Sequence, residues 1–133
     1  MLENNHEKKP KKYAGILAHP TSFPSPYGIG DLGKGAYRFI DFLANSGLNL
    51  WQVLPLGHTG FGDSPYQPFS AFAGQPLIID LDALKEYKLL SEDDFTDMPE
   101  WDPIHIDYGT LITFKTKLLK LAYERFTDPD YED

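Results

Sequence analysis

The residues best equipped for chemistry crowd into Gly57–Pro76, GHTGFGDSPYQPFSAFAGQP. Phe61, Tyr66, Phe69 and Phe72 stand there among His58, Thr59, Asp63, Ser64, Gln67 and Ser70. Aromatic faces beside hydrogen-bonding side chains suit a sugar, whose ring offers C–H faces and hydroxyl edges. Gly57, Gly60 and Gly62 permit turns that other residues resist, and Pro65 and Pro68 stiffen the backbone between them. The stretch is too polar and too rich in Gly and Pro for a core element. A loop folded over its own small hydrophobic cluster would have much the same composition, so pattern alone leaves both readings open.

Other candidate chemistry is weaker. Gly28, Gly30 and Gly33 spell GxGxxG before a helical pattern, the lettering of a dinucleotide site. That motif should follow its strand directly, whereas Pro20, Pro24 and Pro26 intervene and Asp31 puts a carboxylate where pyrophosphate would sit. Glycines for a tight turn and helix entry are the better reading. His6, His19, His58 and His105 lack metal-ligand spacing, so no metal site is expected. His19 and His58 read as hydrogen-bonded residues on one rim. Among 20 acidic residues a pair proves nothing, and nothing identifies a second carboxylate to work with Asp63.

The bulk properties narrow the classes. A chain of 133 residues, 41% hydrophobic, describes one globular domain able to bury a core. A net charge of −8 argues against nucleic acid and against anionic membranes as partners. With no cysteine, disulfides and thiolate chemistry are excluded, and a cytoplasmic location is expected. Residues 1–12, ending in KKPKK, read as a disordered basic tail.

Positioning the aromatic stretch falls to the elements around it. Tyr13–Ala18 is a short apolar run, expected as a strand buried on both faces. Lys34–Asn45 has helical periodicity with Ala36, Phe39, Ile40 and Leu43 on one stripe, and Gly47 follows its end. Leu48–Leu54 reads as a second strand, with Trp51 in the core. Strand, helix, strand over residues 13–54 is a βαβ unit with parallel, right-handed connection. The loop 55–76 then leaves the C-terminal end of the second strand, where α/β proteins bind ligands. Beyond it, Leu77–Asp80 reads as extended and Asp82–Tyr87 as a short helical turn. Ser91 and Asp94 resemble a capping box. Asp107 should cap a last helix reaching about Phe126, with Leu111, Phe114, Leu118 and Ala122 buried and Leu121 and Tyr123 widening that face.

The motifs HPTSFPSPYGIGDLG, WQVLPLGHTGFGDSPYQ and SAFAGQP, within residues 13–84, strongly resemble the N-terminal part of 4-α-glucanotransferases, the amylomaltases or disproportionating enzymes of glycoside hydrolase family 77. The resemblance implies an α/β fold, the N-terminal part of a (β/α)8 TIM barrel, with residues 77–133 an inserted helical region. It implies transfer of an α-1,4-glucan segment to a new acceptor by a retaining, two-carboxylate mechanism without metal or organic cofactor. Carried over by position, Tyr66 lies against the sugar next to the cleaved bond and Ser64 hydrogen-bonds in the same turn. Asp63 and Gln67 flank them. Phe61 stands where relatives can carry a tyrosine at an outer glucan contact, keeping the stacking face without the hydroxyl.

A complete barrel takes roughly 250 residues or more, so this chain is expected to be its opening portion, without catalytic carboxylates and inactive alone. An incomplete barrel would expose a strand edge and associate with itself. The alternative is a stand-alone, non-catalytic module that binds glucan or a protein partner.

Overall fold

The computed structural model describes residues 12–58, 66, 70 and 72–131. Strand β1 (Gly15–Leu17) runs parallel to β2 (Leu50–Gln52), pairing Gly15 with Leu50, Ile16 with Trp51 and Leu17 with Gln52. Helix α1 (Lys34–Asn45) is the crossover between them. Gly15 is required by the close approach, because a Cβ there would stand 2.2 Å from the Leu50 carbonyl oxygen. Gly47, at φ +69°, lies two residues past the end of α1 and supplies the left-handed residue that turns the chain back toward β2.

The strands are shorter than the apolar runs that announce them, and they are not buried on both faces. Leu17, Leu50 and Val53 are exposed, while Phe39 of α1 and Phe23 of the loop after β1 pack on Trp51 between them. Trp51 is half-buried rather than core. Its ring meets Phe39 at 5.4 Å and Phe23 at 5.7 Å between centroids, while Nε1 donates to Ala18 O at 2.8 Å. On α1, Ala36 and Leu43 are buried as expected, but Ile40 is exposed.

The main core lies in the helical half. Helix α3 (Tyr108–Phe126) starts at Asp107, which accepts from the Thr110 N–H and hydroxyl. It buries Leu111, Phe114, Leu118 and Ala122. Helix α2 (Leu81–Glu86), capped by Asp80, packs Leu81 with Phe114, Leu118, Ala122, Tyr27, Leu89, Leu90 and Phe95, while Leu111 packs with Ile29 and Leu77 in a second cluster. Tyr123, expected on the buried face, is exposed. Leu77 begins no strand. Pro76–Ile78 form a 3-10 turn instead, because Gln75 caps its first amides and Pro76 fixes φ at its start. Ser91 and Asp94 form the expected capping box, and Asp94 has a further role: Arg125 near the end of α3 donates to both its oxygens, at 2.6 and 3.0 Å, and to Leu89 O. Among the described residues no helix is long and apolar enough to cross a membrane. The basic tail, apart from Lys12, lies outside the described residues.

Candidate functional site

The aromatic loop leaves and re-enters the fold at one point. After β2, Gly57 and Gly74 form an antiparallel bridge, and the Gln75 N–H donates to Leu56 O at 2.9 Å. The two feet of the loop are thereby pinned side by side, beyond the C-terminal ends of the parallel strands. Gln75 is buried, and its Oε1 accepts from the Leu77 N–H, fixing the turn that carries the chain away.

Pro55, Leu56, Gly57, Tyr66, Ser70 and Phe72 line a hollow of about 540 Å³ at this point. Tyr66 is 68% exposed and Phe72 99% exposed. Ser70 Oγ accepts from the Phe72 and Ala73 N–H groups, which sets the backbone that carries Phe72. Aromatic side chains beside hydroxyl groups fit a sugar better than a charged ligand. Of the residues carried over from the family pattern, Tyr66 lies in this hollow. Phe61, Asp63, Ser64 and Gln67 fall outside the described residues.

A larger hollow of about 1010 Å³ runs between the proline-rich loop after β1 and residues 98–106, with Phe23, Trp101, Asp102 and His105 on its walls. Size does not make it the site, because none of the described residues of the aromatic loop lines it. Trp101 Nε1 and His19 Nε2 are buried with no hydrogen-bond partner among the described residues. His19 Nδ1 pairs with Thr21 Oγ1 at 2.7 Å, which makes it a turn-forming residue at the end of β1. Among the described residues no three of His, Asp and Glu converge as metal ligands would.

The glycines before α1 do not form a phosphate cradle. Asp31 Oδ1 accepts the Gly33 N–H at 3.0 Å, and a Cβ on Gly33 would meet the Asp80 carboxylate at 2.6 Å. Two carboxylates thus occupy the helix entrance that a phosphate would need. Asp31 is buried, and its pKa is raised by that burial.

The charge facing them is Lys115, which pattern reading passed over. It lies on the stripe of α3, four residues after Leu111 and three before Leu118, and is wholly buried. Burial pulls its pKa down to about 8, against the opposing pull of Asp31 and Asp80. A cation in register with a buried stripe was the signal that could have found it. A second set of charges joins the loop after β1 to α2, with the Tyr27 hydroxyl donating to Asp82, and Lys34 and Lys85 paired with the same carboxylate.

A family model described as 4-alpha-glucanotransferase matches residues 18–133. A 4-alpha-glucanotransferase of Synechocystis is 48% identical over 116 residues, covering 87% of this chain and 23% of the relative. Those of Clostridium butyricum and Thermus thermophilus are 50% and 49% identical, covering 86% of this chain in each case and 24% and 22% of the relatives. Among solved structures, an amylomaltase from Streptococcus agalactiae in complex with acarbose superposes with a TM-score of 0.84 at 41% identity, covering 90% of this chain and 24% of that one. The chain spans about a quarter of the length of these relatives.

Proposed function

We propose, from the premise that this chain belongs to the 4-alpha-glucanotransferase family, glycoside hydrolase family 77, that it supplies the opening βα unit of a (β/α)8 barrel and part of that barrel's sugar cleft. In this reading the barrel cuts an α-1,4-glucan and passes the cut piece to another glucan. A carboxylate displaces the leaving sugar to form a covalent intermediate, and the acceptor hydroxyl then displaces the carboxylate with retention. No residue of this chain is assigned to those carboxylates. Its part is to bind. Tyr66 stacks on the sugar beside the cleaved bond and Ser64 hydrogen-bonds it, with Asp63, Gln67 and Phe61 around them. Shielding the intermediate from water favours transfer over hydrolysis.

The observation that carries the reading is the pinned loop, which holds the exposed Tyr66 in a hollow at the C-terminal edge of parallel strands. In a protein carrying this chain within a complete barrel, Tyr66→Ala should lower kcat/KM for maltotriose disproportionation about ten- to a hundredfold. Tyr66→Phe, which keeps the face, should lose less. Equal activity in all three proteins would remove the loop from the cleft. Calorimetric titration of maltoheptaose into the 133-residue chain separates this reading from a self-contained binding module. Weak binding or none fits a partial cleft; tight saturable binding fits the module.

A further inference from the structure

The path by which the chain leaves the aromatic loop is held by a side chain from far along the sequence. Gln75 O accepts from the Ile78 N–H, Pro76 O from the Ile79 N–H and Ile78 O from the Leu32 N–H. The carbonyls left over are those of Leu77 and Ile79. Lys115 Nζ takes both, at 2.7 and 3.2 Å. Buried carbonyls need such partners.

A lysine is a costly way to fill this place. Its neighbours on the buried stripe of α3 are Leu111, Phe114, Leu118 and Ala122. An apolar side chain there would pack without the desolvation penalty of an ammonium group. What the lysine adds is a long stem and donors that reach the turn directly behind the Gly57–Gly74 bridge. Asp31 and Asp80 balance its charge, and those same carboxylates stand at the starts of α1 and α2.

We propose that Lys115 is a positioning residue for the sugar-contacting loop. It fixes the turn at 76–79, through it the Gly74 foot of the loop, and through that foot the placement of Tyr66 and Phe72. The inference rests on the sugar reading of the loop for its functional consequence, but not for its structural one.

The test uses the whole chain with Lys115→Met, read by amide hydrogen exchange and by maltoheptaose titration. Exchange at Gln75 and Leu77–Ile79 should quicken about tenfold, the effect of losing a charge-assisted hydrogen bond, with the C-terminal half of α3 unchanged. Maltoheptaose binding should weaken by a similar factor. Because the chain has no cysteine, Lys115→Cys can be alkylated selectively with 2-bromoethylamine while unfolded, which rebuilds a lysine-like amine. Refolded, it should regain both properties, whereas the same cysteine capped with an ethyl group should not. Leu118→Ala, which weakens the same helix in the cluster away from Leu77 without removing a donor, should leave the exchange pattern at 75–79 no worse than elsewhere.

Wild-type exchange at 75–79 in Lys115→Met overturns the proposal, as does equal behaviour of the aminoethyl and ethyl proteins. If Lys115→Met does not fold, that pair of alkylated proteins decides. If the unaltered chain binds no maltoheptaose, exchange at 75–79 alone decides the positioning role, and equal activity of Tyr66→Ala in a complete barrel would defeat the sugar reading separately.

Discussion

Lys115 should also dominate how stability responds to alkaline pH. Its pKa falls from the ordinary 10.5 to about 8 on folding, so between those values the unfolded chain keeps a proton that the folded chain has released. The stability it contributes is therefore present above pH 10.5 and lost as the pH falls through 8. Urea denaturation should accordingly show stability rising from pH 8 to 10, with a slope of at most about 1.4 kcal/mol per pH unit from this one proton. Lys115→Met should flatten it. A neutral amine still carries N–H donors, so the hold on Leu77 and Ile79 survives the titration. Asp94 governs the acid side with the opposite sign. The Arg125 guanidinium keeps its carboxyl well below the usual range, so its contribution is present above pH 3.8 and lost on acidification. Arg125→Ala should cost about 1–2 kcal/mol, discounted for the partial exposure of the pair, and should reduce acid sensitivity in the same titration.

Among the elements, those set by local chemistry were legible and those set by distant partners were not. Residues 34–45 and the cap at Asp107 follow from periodicity and side-chain reach within a few residues, and the helices stand there. Leu77–Asp80 reads as extended from its letters, yet Gln75 and Pro76 bend it and Lys115 completes it from 38 residues away. No window along the sequence contains that partner. The strands were legible in pairing but not in burial, since burial depends on what packs over them. For the candidate site, composition pointed to the aromatic loop and the family resemblance to Tyr66, while Lys115, at the turn behind the loop's foot, was hidden in an apolar stripe. Gly47 offers a check at this scale. With open space around it and φ at +69°, Gly47→Ala should lower stability by about 1 kcal/mol from backbone strain alone, measurable as a shift in urea midpoint without change in slope.

Taken whole, the molecule is uneven. Its helical half encloses a core, whereas Leu17, Tyr37, Phe42, Leu50 and Val53 leave apolar surface on the βαβ half, and both strands have an edge with no strand beside it among the described residues. Sedimentation velocity should therefore show an average mass that rises with concentration, and Leu17→Lys should suppress the rise by charging an edge. A single monomeric species across the range would mean that these surfaces do not drive association. The bridge between Gly57 and Gly74 has a different consequence, for variation rather than for assembly. A segment whose two ends already touch can be lengthened cheaply, since doubling its length adds only about 0.6 kcal/mol of closure entropy. The stretch between those two glycines can therefore be lengthened or exchanged while the scaffold beneath keeps its fold.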